Sequence, residues 1–206
     1  MSNPTYFSIF SLPLHLVIDT PALEKSFYAL SRRLHPDRFA ARPEAEQAAA
    51  LAESSRLNDA YRTLKDPIAR TEYLLKLEGI ELEEQSSAAT AAARATGTAK
   101  KQVVPEDLLE EAFELNMQLE EMRAAKKMGE DDPQLRKDLL AAKSEFDAKM
   151  ASAQTDLESL WSQWDAALDA GDAAAKLAAR DAMVALLNRR SYLRNLVRDV
   201  NDALEA

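Results

Sequence analysis

Residues 20–43 read TPALEKSFYALSRRLHPDRFAARP, and the organisation of the chain follows outward from them. Thr20 before Pro21 predicts a helix start with proline in the first turn, where a missing N–H costs nothing. Leu23, Phe27, Leu30 and Leu34 then recur at helical spacing on one face. His35 stands before Pro36, and a residue before proline is pushed out of the α region, so this helix ends there. A second helix is expected from Pro43, with Leu57, Ala60, Tyr61 and Leu64 as its later apolar face. His35 to Arg42 is then the loop of an antiparallel helical hairpin.

Short helices are expected on both sides of this hairpin. Tyr6, Phe7, Ile9 and Phe10 supply one upstream, with Tyr6 read as core and His15, which follows it, as surface. Asp66-Pro67 opens another, carrying Tyr73, Leu74, Leu75 and Leu77 and stopped by Gly79. Residues 84–103 (EQSSAATAAARATGTAKKQV) lack large apolar side chains until the final valines and read as a flexible linker. Beyond it lie three long helical patterns: Pro105 to Met128, stopped by Gly129; Pro133 to about Ala170, stopped by Gly171; and Asp172 to near the last residue. Three long helices with short turns predict an antiparallel bundle. The middle one carries the seam Leu135, Leu139, Ala142, Phe146, Ala153, Leu157, Leu160, Trp164 and Leu168. No alternation of strand type competes. The expectation is an all-α chain with three parts: a helical hairpin domain over 1–78, a linker over 79–104 and a three-helix client-binding domain over 105–206.

Composition narrows the function classes. The chain has 206 residues, no cysteine and two histidines, which argues against a disulfide framework, a thiol nucleophile, a cluster held on cysteines and an ordinary zinc site; no metal or cofactor is expected. No long apolar run is present, so a cytoplasmic protein with no membrane partner is expected. The net charge of -9 is unevenly placed. Residues 1–78 hold ten basic and ten acidic side chains; subtracting these from the chain totals of 26 and 35 leaves sixteen and twenty-five for 79–206. That excess of acid argues against nucleic acid, whose phosphates need a basic surface. Locally the balance reverses: Lys25, Arg32, Arg33, Arg38 and Arg42 face only Glu24 and Asp37 across residues 21–42, a basic patch suited to an acidic protein partner.

A basic helix, His35-Pro36-Asp37, a second helix and Leu57-Asn58-Asp59-Ala60-Tyr61, in that order and spacing, resemble a J-domain. The run Asn58-x-Ala60-Tyr61-x-x-Leu64-x-Asp66-Pro67-x-x-Arg70-x-x-Tyr73-Leu74-Leu75 resembles, more narrowly, the HscB-type co-chaperones of iron–sulfur cluster assembly. An acidic helical bundle after the J-domain is also similar to that family, while the linker is longer than its pattern. The resemblance implies that His35, Pro36 and Asp37, with Lys25, Arg32, Arg33 and Arg38, bind an Hsp70-type chaperone and stimulate its ATPase. From the residues alone, His35 can also be a turn histidine favoured by the helix dipole, and each arginine a solvated charge. No nucleophile or oxyanion site accompanies His35 and Asp37 in sequence, so no catalytic residue is assigned and the chain is not read as an enzyme.

The helix from Pro105 carries two apolar stripes. Leu108, Ala112, Leu115, Leu119 and Met122 have the spacing of a bundle seam. Leu109, Phe113 and Met117 form a second stripe about 100° around the helix, bordered by Glu110, Glu114 and Glu121. The second stripe can be core, since each helix of a three-helix bundle touches two neighbours, or an exposed binding surface with an acidic rim. The resemblance implies the latter: a cluster-scaffold protein held by Leu109, Phe113, Glu114, Met117 and Glu121, with Tyr192 as an aromatic from the last helix. Two other functions stay open, a J-domain co-chaperone serving other clients and a scaffolding or oligomerisation module whose J-like half is degenerate.

Overall fold

The computed structural model describes residues 4–80, 82 and 104–205. Among these there are seven α-helices and no strand: α1 (Tyr6–Ile9), α2 (Thr20–Leu34), α3 (Glu44–Lys65), α4 (Pro67–Leu77), α5 (Leu109–Met128), α6 (Pro133–Ala170) and α7 (Ala173–Glu205). The all-α expectation holds, and so do the helix limits read from proline and glycine except at Pro105, where a 3-10 turn over Glu106–Leu108 comes first and α5 begins at Leu109. Gly129 and Gly171 stop α5 and α6 with φ of 73° and 67°, left-handed values that cost glycine little. The cap of α2 differs by one residue: Asp19, not Thr20, accepts from the Ala22 amide at 2.9 Å, because the cap carboxylate must reach three residues forward. The stretch 84–103 expected to be a flexible linker lies outside the described residues, as does nearly all of 79–104.

Contacts group the chain into two compact units whose limits depart from the sequence boundaries. One unit is Met1–Glu81 together with Leu160–Arg180; the other is Leu82–Ser159 with Asp181–Ala206. The tip of the α6–α7 hairpin, expected within a 105–206 domain, thus belongs with the first eighty residues.

In the first unit, α2 and α3 form the antiparallel hairpin. Phe27 stacks on Tyr61 with ring centroids 4.1 Å apart, and Leu23, Leu57, Ala60 and Leu64 are buried. Tyr6 of α1 is half-buried, stacks on Tyr73 at 4.4 Å and gives its amide N–H to the Tyr73 hydroxyl. The hairpin tip docks through polar bonds inside an apolar setting. Trp161 donates to Thr71, Trp164 donates to the Leu14 carbonyl, and the Asp165 carboxylate accepts both the Leu16 and Val17 amides at 2.8 and 2.9 Å. His15, expected on the surface, is half-buried and lies 2.9 Å from Asp169. Arg70 is buried, donates to the Leu64 carbonyl at 2.6 Å and lies 4.8 Å over the Trp161 ring. Burial pulls its guanidinium below the ordinary value, partly offset by Asp66 and Asp165.

The second unit is built on a three-helix core. Leu108, Ala112, Leu115, Leu119 and Met122 meet Leu135, Leu139 and Phe146 of α6 and Leu193, Leu196, Val200 and Ala203 of α7. The first stripe of α5 therefore faces the core. Lys126 donates to the Ala203 carbonyl and Arg136 to the Leu204 carbonyl, satisfying acceptors that the last turn of α7 leaves open.

Candidate functional site

The loop after α2 is a held turn. His35 has φ -60° and ψ 127°, the extended conformation that the following proline demands, and a short 3-10 turn runs over Pro36–Phe39. The Asp37 amide donates to His35 Nδ1 at 3.3 Å, which places the ring proton of a neutral imidazole on Nε2. The Arg38 amide donates to the His35 carbonyl at 3.0 Å, and the Arg38 side chain reaches back to the Arg32 carbonyl at 3.4 Å. Gln47, one turn into α3, donates through Nε2 to the carbonyls of Ala40 and Arg42. Sequence reasoning missed Gln47, since a glutamine early in a helix carries no signal of its own. His35 and Asp37 are left with 55% and 89% of their side chains exposed, so the turn is ordered while its chemistry faces outward.

The face of α2 beside the loop is cationic by subtraction. Its single acidic residue, Glu24, accepts from the Tyr61 hydroxyl at 3.0 Å and lies 3.7 Å from Lys65. Lys65 in turn donates to Tyr61, and its pKa is raised by that hydroxyl and by Glu24. With Glu24 thus engaged, Lys25, Arg32 and Arg33 are exposed and form no ion pair among the described residues. Six of the seven residues, His35, Pro36, Asp37, Arg32, Arg33 and Arg38, sit at the loop end of this hairpin, while Lys25 stands near the start of α2, beside the Glu24 that meets Lys65 at the end of α3.

In the second unit the second stripe of α5 lies outside the core. Leu109, Phe113 and Met117 are 53%, 66% and 60% exposed. Glu110, Glu114 and Glu121 are exposed and form no ion pair among the described residues, whereas Glu111 pairs with Lys149 and Glu120 with Arg123. Tyr192 is half-buried against the bundle core, and burial, helped by Asp199, raises its phenol above the ordinary value. It is thus in large part a packing residue.

The chain is similar to known proteins over nearly its whole length. The structure of the chaperone HscB from Vibrio cholerae is 30% identical, with 98% of this chain and 99% of that one aligned at a TM-score of 0.54. The chain belongs to the HscB family. A co-chaperone protein HscB homolog of Vibrio cholerae serotype O1 is 47% identical over 77 residues, 37% of this chain and 45% of that HscB protein's length. The human co-chaperone protein HscB shares the fold at a TM-score of 0.59, with 23% identity over 98% of this chain and 82% of the human one. No family profile matches. Among the described residues of this HscB-family chain, no helix is long and apolar enough to cross a membrane.

Proposed function

We propose that this chain is a cytoplasmic co-chaperone that holds an iron–sulfur cluster scaffold protein on the α5 stripe and delivers it to an Hsp70. It stimulates that partner's ATPase through His35-Pro36-Asp37. One observation carries the reading: an outward-facing His-Pro-Asp turn, held by its own backbone and by Gln47, at the end of a helix whose only carboxylate is engaged elsewhere. Kinship with HscB proteins supports it.

The mechanism is differential binding. No bond is made or broken on this chain; the loop accelerates hydrolysis only if it binds the hydrolysis-competent Hsp70 better than the resting one. A tenfold acceleration requires a difference of about 1.4 kcal/mol, within reach of a few charge-assisted hydrogen bonds from a turn that is already ordered. Lys25, Arg32, Arg33 and Arg38 steer the encounter, so its rate falls as salt screens them. On α5, an apolar stripe rimmed by Glu110, Glu114 and Glu121 fits a client surface with an apolar projection among basic residues.

Single-turnover ATP hydrolysis by the cognate Hsp70, with wild type and His35→Gln, tests the first half. Stimulation by the wild type alone is expected, with equal melting temperatures. Calorimetric titration of a cluster-scaffold protein tests the second; binding of other clients but not of the scaffold would favour a co-chaperone of wider service.

A further inference from the structure

Tyr28 is an aromatic side chain left 53% exposed on α2, where its neighbour Phe27 turns inward to stack on Tyr61. Its ring meets the fold at an edge, tilted against Phe27 with centroids 5.5 Å apart, while the other buried and half-buried apolar residues of α2 (Leu23, Leu30 and Leu34) lie on the far side of the helix. Lys25, Tyr28 and Arg32 fall at i, i+3 and i+7, within about 60° of one another around the axis. The Arg32 Nε–H donates to the Tyr28 carbonyl at 3.3 Å, so the guanidinium stem lies along the same face. Glu24, the residue that could have neutralised this face, is taken by Tyr61 and Lys65. The result is an aromatic ring between two cations that form no ion pair among the described residues.

We infer that Tyr28 is an affinity-determining contact for the Hsp70 partner, an inference that rests on the co-chaperone reading above. The matching surface is acidic, to meet Lys25 and Arg32, with an apolar recess or a carboxylate at its centre to take the ring and hydroxyl. Tyrosine and arginine are the residue types that most often dominate protein interfaces, since a stiff ring covers much area at small entropic cost. A solvated helix face of charges alone would contribute little. Tyr28 is seven residues before His35, two turns away from the turn that acts on hydrolysis. Its role is therefore to hold the partner, and His35-Pro36-Asp37 supplies the trigger.

This division has a kinetic signature. Single-turnover ATP hydrolysis by the cognate Hsp70 is followed against the concentration of full-length wild type, Tyr28→Ala and Tyr28→Phe, with thermal melts confirming that each variant folds. Tyr28→Ala is expected to raise the concentration for half-maximal stimulation by about tenfold and to reach the wild-type plateau, with Tyr28→Phe between the two. An active wild type and an unmoved Tyr28→Ala curve would overturn this inference alone. A lowered plateau at unchanged half-saturation would place Tyr28 in triggering and equally overturn it. An inert wild type would bring down the co-chaperone reading itself.

Discussion

Trp161 donates its indole N–H to the Thr71 hydroxyl at 2.9 Å across ninety positions of sequence, and both residues are buried. The Thr71 hydroxyl itself donates to the Pro67 carbonyl at 2.9 Å, so it is used in both directions. Trp161→Phe should cost about 1–2 kcal/mol, the loss of one buried hydrogen bond. Trp161→Ala should cost about 3–5 kcal/mol, because it also opens a cavity and strips Arg70 of the ring beneath it. Urea unfolding of the two variants checks the order; equal midpoints for Trp161→Ala and wild type would show the contact to be dispensable.

Asp165 and Asp169 stand one turn apart on α6 yet should differ in weight. Asp165 accepts two backbone amides, Leu16 and Val17, whereas Asp169, 68% exposed, pairs with a single histidine. Asp165→Ala is expected to cost about 2–3 kcal/mol through two lost charge-assisted bonds, and Asp169→Ala under about 1 kcal/mol. Hydrogen exchange at the Leu16 and Val17 amides gives the direct readout: protection should collapse in the first variant and persist in the second.

On α5 the same chemistry should have opposite consequences on two faces. Leu109→Ala with Phe113→Ala should leave the melting temperature near that of the wild type and weaken binding of a cluster-scaffold protein by about 2 kcal/mol or more. Leu115→Ala with Leu119→Ala, which empties core positions, should cost about 5 kcal/mol or more of stability. A scaffold that binds the first double variant as tightly as the wild type would move the client surface elsewhere.

Tyr192 gives stability an alkaline limb. Its phenol is raised above the ordinary value by burial and by Asp199, so in a window above about pH 10 the folded chain keeps a proton that the unfolded chain has lost. Stability should therefore fall as pH rises through that window and be unaffected by this group below it. Unfolding midpoints of Tyr192→Phe should decline less steeply above about pH 10; parallel curves for variant and wild type would remove Tyr192 as the cause.

The punctuation of the fold was legible because it is local. Pro21, Pro67, Gly129 and Gly171 act through their own backbone preferences, and helix limits set by them need no knowledge of distant residues. The α5 seam was legible for a related reason, since Leu108, Leu115 and Leu119 repeat on one face. Trp161 escaped because it lies off the α6 seam chosen from spacing. Leu160 and Leu168 were counted, and both are half-buried, while Trp161 and Ala167 are buried. This part of α6 buries a wider face than one stripe describes. The signal that could have found it is the placement of both tryptophans of the chain three residues apart, with Asp165 and Asp169 beside them. For the site, the motif residues could be read directly, but the engagement of Glu24 could not, because it depends on Tyr61 and Lys65 across the hairpin, nor could the bracing by Gln47, which depends on how the loop folds back on Ala40 and Arg42.

The membership of Leu160–Arg180 in the first unit has a consequence for biosynthesis. On a ribosome adding roughly 5–20 residues per second, α1 to α4 are complete several seconds before Trp161 and Asp165 exist. During that interval the Thr71 hydroxyl has no indole to accept from and the Leu16 and Val17 amides have no carboxylate. The nascent hairpin therefore carries its His-Pro-Asp turn before the unit around it can close. The final fixing of that hairpin depends on synthesis still under way.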